Sequence, residues 1–80
     1  MRIPIEMPNF GYDVETALIA AWLKNVGDLV SRGEAIAEIE TEKVTAEMEA
    51  LASGRLVEIV RPAGAEVRTK EVIAYLDDEL

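Results

Sequence analysis

Apolar and polar residues alternate along most of this chain with the period of two that belongs to a β-strand. The alternation is plainest from position 35 to 50. There Ala35, Ala37 and Ile39 interleave with Glu38 and Glu40, and Ala46, Met48 and Ala50 interleave with Glu47 and Glu49. A fold-back with Glu42 and Lys43 at its tip pairs Ile39 with Ala46, Ala37 with Met48 and Ala35 with Ala50. It also sets Glu38 opposite Glu47, with Glu40 and Glu49 beside them. One face of the hairpin is then apolar and the other acidic. Further strand-like runs at 2–7, 17–24, 29–30, 55–60, 66–67 and 72–77 bring the expected strands to about eight. Many short strands with turn signals between them predict an all-β fold, sandwich or barrel. Pro4 makes the first run an edge strand or a broken one, because proline cannot donate to a ladder. Segment 17–24 reads as helix in isolation, but it is short for one.

A shift of 37 positions superimposes much of the chain on itself. Gly27, Val30, Glu34, Ile36 and Ala37 meet Gly64, Val67, Glu71, Ile73 and Ala74, five identities in fourteen positions. Upstream, Ile19, Trp22, Leu23 and Lys24 meet Leu56, Ile59, Val60 and Arg61. We read this as one domain over 1–80 with an internal repeat spanning roughly 19–42 and 56–79. Each half offers a strand, a glycine turn, a short strand and a longer strand. Under the same shift Lys43 falls where the chain begins and ends, so a pseudo-two-fold axis sets the hairpin tip at one end of the molecule and both termini at the other.

Composition narrows the possible functions. Eighty residues without a cysteine form one small domain with neither disulfide nor thiolate metal site. Only Phe10, Tyr12, Trp22 and Tyr75 are aromatic, so Ile, Val, Leu and Ala must build the core. Sixteen acidic residues against eight basic ones give a net charge of −8, and the five arginines are scattered. Nucleic acid is therefore not an expected partner. No apolar run approaches a membrane span, and the N-terminus has no secretory signal pattern. A cytoplasmic setting is expected. The acidic surface around the tip serves solubility or, more sharply, partner recognition through Glu38, Glu40 and Glu47.

Catalysis by the chain itself is not expected. It has no His or Cys, and Ser31 and Ser53 sit beside glycine turns. Glu38 and Glu47 as a general acid–base pair would need a pocket to separate their pKa values. Oxygen ligation of a hard cation lacks a convergent loop. Lys43, read alone, is an ordinary solvated lysine at a turn. Yet tight hairpin turns favour glycine with Asn or Asp, and Glu42-Lys43 offers no such turn chemistry. Something else placed a lysine there.

Gly27-Asp28-Leu29-Val30, Glu34-Ala35-Ile36, Ile39-Glu40-Thr41-Glu42-Lys43 and Gly54, with glycines sixteen residues before and eleven after the lysine, resemble the lipoyl domain of the 2-oxo acid dehydrogenase complexes. Met7-Pro8-Asn9-Phe10-Gly11 is similar to that family's N-terminal motif, and the likeness spans about 3–77. The family's usual Glu-Thr-Asp-Lys-Ala is Glu-Thr-Glu-Lys-Val here. The resemblance implies a flattened β-barrel or sandwich of two four-stranded antiparallel sheets. It further implies that lipoic acid is amide-linked to Lys43, flanked by Thr41, Glu42 and Val44, and carries acyl groups between active sites. The implied partners are a lipoate ligase or lipoyl transferase, a 2-oxo acid decarboxylase, dihydrolipoamide dehydrogenase and an acyltransferase core. The polar tail Asp77-Asp78-Glu79-Leu80 suits the N-terminal domain of a larger acyltransferase component. In the family the loop at 9–15 lies beside the lipoyl-lysine turn, which makes Asn9, Phe10, Tyr12 and Asp13 recognition candidates. Tyr12 and Asp13 are the better ones, because a Phe is so often buried. Two alternatives stand. Biotin domains share the fold but bracket their lysine with methionines, where this chain has Glu42 and Val44. An unmodified barrel serving as an adaptor or assembly module would not need Lys43.

Overall fold

The structure, a computed structural model, describes residues 1–9 and 15–79. Phe10, Tyr12 and Asp13, three of the recognition candidates, lie outside those described residues. All regular structure in the described chain is β: β1 (Arg2–Glu6), β2 (Thr16–Trp22), β3 (Leu29–Val30), β4 (Ala35–Glu40), β5 (Thr45–Glu49), β6 (Gly54–Ile59), β7 (Glu66–Arg68) and β8 (Val72–Asp77). They form two open four-stranded sheets, ordered β1-β8-β6-β3 and β5-β4-β2-β7, with every pairing antiparallel. β1 is an edge strand, as Pro4 requires.

The two sheets match under the 37-residue shift. Ile19 pairs with Ile39 between β2 and β4, and Leu56 pairs with Leu76 between β6 and β8. A bulge follows in each case, at Ala20 and at Val57. The turns match as well. Gly27 N donates to Leu56 O at 2.7 Å, and Gly64 N to Ile19 O at 2.7 Å. Lys24 pairs with Glu34 at 2.7 Å, and Arg61 with Glu71 at 2.6 Å. Each of these carboxylates also accepts a backbone N–H three residues upstream, from Ser31 or Arg68 at 3.0 Å. Thr41 N donates to Val44 O at the hairpin tip, and at the matching place Asp78 N donates to Met1 O.

The hairpin register holds for Ile39 with Ala46, Ala37 with Met48 and Glu38 with Glu47. It fails for Ala35, which pairs with Glu49 and not Ala50. The cause is a bulge at Ile36: one extra residue in β4 shifts the ladder and lets two successive side chains face inward. Ile36 and Ala37 are both buried, as are Ile73 and Ala74 in β8, where β1–β8 pairing carries the same irregularity. Around them Ile19, Ile39, Leu56, Val67 and Leu76 fill the space between the sheets, together with Met7 and Met48. No described polar or charged side chain is buried. Trp22 is half-buried against this core, and its Nε1 donates to Arg61 O at 2.8 Å, tying β2 to the second half.

Two backbone positions generate a prediction. A Cβ on Gly54 would lie 2.5 Å from Asp77 O, a backbone atom with little freedom to move. Gly54→Ala should therefore cost roughly 1–3 kcal/mol, as overpacking does. Lys70 holds φ at 70° where the matching turn has Gly33 at 88°. Both donate their N–H at 2.8 Å, to Met7 O and Ala50 O. Left-handed backbone costs a side-chain-bearing residue about 1–2 kcal/mol, partly offset by the chain entropy of glycine. Lys70→Gly should thus raise stability where Gly54→Ala lowers it, read as opposite shifts of the urea midpoint at unchanged slope.

The ion pairs generate a second. The Lys24 ammonium and the Ser31 amide hold the Glu34 carboxyl below its ordinary 4.5; the Arg68 amide and the Arg61 guanidinium do the same for Glu71. A carboxyl with a lower pKa folded than unfolded contributes stability above the unfolded value and loses it as pH falls through the folded one. Stability should decline as pH drops below about 4.5. The double variant Glu34→Gln/Glu71→Gln should start lower at neutral pH and decline less. Thermal midpoints recorded from neutral to acidic pH check both.

Candidate functional site: the Lys43 hairpin

β4 and β5 carry the chain to an apex whose last ladder pair is Glu40 with Thr45. Beyond it Thr41 N donates to Val44 O at 2.8 Å. The Thr41 hydroxyl completes the turn: Oγ1 accepts from Lys43 N at 3.2 Å and Val44 N at 3.1 Å, and donates to Val44 O at 3.2 Å. Neither Glu42 nor Lys43 has positive φ. The sequence puzzle is thereby resolved, since a side-chain hydroxyl supplies what a glycine turn would otherwise provide. Thr41 is half-buried, while Glu42, Lys43 and Val44 are exposed, Val44 at 50 %.

Acidic residues surround the apex. Glu38 and Glu47 sit directly across the β4–β5 ladder, and Glu40, Glu47 and Glu49 are exposed. On the other flank, β2 pairs Leu18 with both Glu40 of β4 and Glu66 of β7. A shallow depression of about 270 Å³ results, lined by Thr16, Leu18, Glu40, Thr41, Glu42 and Glu66. Sequence reasoning missed Thr16, Leu18 and Glu66 as neighbours of the apex. Periodicity reports which way a side chain points but not which strand of the other half lies alongside, and the β2–β7 pairing joins the halves. Asn9 belongs to a different surface, an apolar groove of about 270 Å³ that also takes in Met48, Glu49 and Leu51.

The arrangement fits attachment of a group to an amine. Lys43 is exposed on a hairpin whose turn is closed by Thr41. Lys24 is engaged with Glu34 at 2.7 Å, and Lys70 lies in the left-handed turn between β7 and β8. Glu38 and Glu47 occupy an outer strand face, not a cleft.

Residues 3–76 match the model of the biotin/lipoyl family described as "Biotin-requiring enzyme". The chain is 45 % identical over 80 residues to the dihydrolipoyllysine-residue acetyltransferase component of the pyruvate dehydrogenase complex of Rhizobium meliloti (strain 1021), covering 99 % of this chain and 18 % of that protein. It is 43 % identical over 77 residues to the pyruvate dehydrogenase E1 component subunit beta of the same organism, covering 95 % and 17 %. The chain thus spans less than a fifth of the length of these two relatives. Among solved structures, the lipoyl domain of the 2-oxoglutarate dehydrogenase complex from Azotobacter vinelandii superimposes with a TM-score of 0.75 at 37 % identity, covering 94 % of this chain and 95 % of that one.

Like charges directly across a ladder destabilise it, so the acidic face yields a prediction. Glu38→Gln should stabilise the domain by roughly 0.2–1 kcal/mol, with the gain shrinking as salt screens the repulsion. Urea denaturation at low and high ionic strength measures it. A loss of stability at both would show that Glu38 makes a favourable contact across the sheet.

Proposed function

The chain belongs to the biotin/lipoyl family as a lipoyl domain, and from that premise we propose that it works as a swinging-arm acyl carrier with lipoic acid amide-linked to Lys43. The observation that carries the proposal is the exposed lysine at the apex of a hairpin closed by Thr41. A ligase must accommodate the side chain without unfolding the domain, and an apex permits that. Lys43 Nζ attacks the carboxyl carbon of an activated lipoyl group: a C–N bond forms, the bond to the activating group breaks, and the amine gives up a proton. Held on Lys43, lipoic acid would supply a disulfide able to take up an acyl group and two electrons at a 2-oxo acid decarboxylase. This chain's own residues supply a fixed base. Buried Ile39 and Met48 anchor the hairpin to the core, and the acidic strands present one sign of charge to whatever docks.

The proposed partners are a lipoate ligase or lipoyl transferase, the decarboxylase, an acyltransferase core and dihydrolipoamide dehydrogenase, in a cytoplasmic complex. We assign Glu38, Glu40 and Glu47 to partner recognition at the apex, and keep as further recognition candidates Asn9, which lines the separate groove, and Phe10, Tyr12 and Asp13, which lie outside the described residues. The parent is an acyltransferase component on this reading. The Rhizobium meliloti E1 beta relative makes a decarboxylase subunit a second candidate. Biotin attachment is disfavoured by Glu42 and Val44, since biotin domains bracket their lysine with methionines.

Incubation with a lipoate ligase, lipoate and ATP should add one lipoyl group to the parent and none to Lys43→Arg or Lys43→Gln, read by intact mass and peptide mapping. Modification that persists in both variants, at Lys24 or Lys70, would sink the assignment. A biotinyl mass on protein purified from its own cell would replace lipoate with the runner-up.

A further inference from the structure

The apex is closed by one side chain, and that has a consequence for how the lysine is presented. Hairpins with two-residue turns ordinarily use backbone bonds and positive φ, hence glycine. Here the backbone contributes Thr41 N to Val44 O at 2.8 Å. The Val44 amide turns instead to Thr41 Oγ1 at 3.1 Å, joined there by the Lys43 amide at 3.2 Å. The hydroxyl proton points to Val44 O at 3.2 Å. A hydroxyl offers one donor and two acceptor sites, and the turn uses all three. At the matching place in the other sheet, Asp78 N reaches Met1 O at 3.2 Å, where position 78 holds no hydroxyl.

We propose that Thr41 is the positioning residue of this apex. Its hydroxyl fixes the Lys43 and Val44 amides so that the lysine side chain leaves the hairpin in one direction, toward the enzyme that modifies it. The inference rests on the reading of Lys43 as the attachment site. Attack on an activated carboxyl needs the amine held in line within a ligase pocket, and a preset backbone reduces the ordering still required on docking. The side chains at 42 and 44 take no part in the clamp, which leaves them open to variation. Thr41→Val keeps the branched shape and removes the hydroxyl; Thr41→Ser keeps the hydroxyl and removes the methyl.

Three measurements on the parent and both variants test this: kcat/KM for lipoylation, exchange rates of individual backbone amides, and the thermal midpoint. In Thr41→Val the Lys43 and Val44 amides should exchange at least tenfold faster, with the amides of β4 and β5 unchanged. Lipoylation should fall about tenfold in kcat/KM, the scale set by losing two or more hydrogen bonds. Thr41→Ser should remain within about threefold of the parent on both readouts, since it keeps all three bonds. Parental modification rates in Thr41→Val, or equal impairment in Thr41→Ser, would overturn the proposal. So would faster exchange throughout β4 and β5, because the loss would then be one of stability. An unmodified parent would bring down the attachment reading and the positioning role with it. A modified parent with an indifferent Thr41→Val brings down the positioning role alone.

Discussion

Neither half of this molecule completes a sheet by itself, and the rest of the structure depends on that. β3 leaves the first half to pair with β6 of the second, and β7 leaves the second to pair with β2 of the first. The glycine turns carry the exchange through Gly27 N to Leu56 O and Gly64 N to Ile19 O. Leu56 and Ile19 are themselves buried, so the residues that accept the turns also form the floor of the shared core. A domain this small buries only about 60 % of its unfolded surface, which leaves little to spare for a half standing alone. Interlocking makes one core of two marginal ones and supplies β7 as one edge of the Lys43 hairpin's sheet.

The strands, their edges and the hairpin tip were legible because period-2 patterning and turn residues record them directly. Pro4 announced an edge strand, and the Ile39, Ala37 and Glu38 pairings follow from alternation alone. Ala35 misled because strict alternation forbids what a bulge allows. Ile36 and Ala37 both face the core, and the pattern that would have exposed this is present: Ile73-Ala74 repeats Ile36-Ala37 in the other half. Two adjacent apolar residues recurring at the same place in a repeat mark a bulge better than either occurrence alone. The strand exchange was not legible. Which edge accepts β7 depends on shape in three dimensions, so the side chains it brings to the apex, Leu18 and Glu66, stayed hidden.

Lys70 shows where sequence and fold disagree. The two halves use the same turn with the same hydrogen bonds, yet one has glycine and the other a lysine in left-handed backbone. Lys70 N donates to Met7 O at 2.8 Å, and Met7 N donates to Glu71 O at 2.9 Å. Both bonds belong to the path between β1 and β8, so the strained residue is held by ladder contacts on either side. Backbone strain persists where surrounding structure over-determines it, and here the surrounding structure is the repeat itself.

Charge at the apex follows from the same architecture. Alternation gives β4 and β5 an inner face for Ile39 and Met48 and obliges the outer face to be polar, but it does not oblige that face to be uniformly acidic. Glu38 across from Glu47 is unfavourable on its own terms. With Lys43 in place, the hairpin has one positive charge among five glutamates. On the proposed function, amide formation removes that charge and takes the net charge from −8 to −9, one positive charge being lost. The local change is proportionally larger than the global one, because Lys43 is the one lysine of a hairpin that also carries Glu38, Glu40, Glu42, Glu47 and Glu49. Screening confines the effect to about a Debye length, roughly 8 Å at physiological salt. An acidic hairpin that carries a lysine at its tip thus has a surface potential that depends on whether the lysine is modified, and that dependence comes from the choice of glutamates on a face that alternation requires only to be polar.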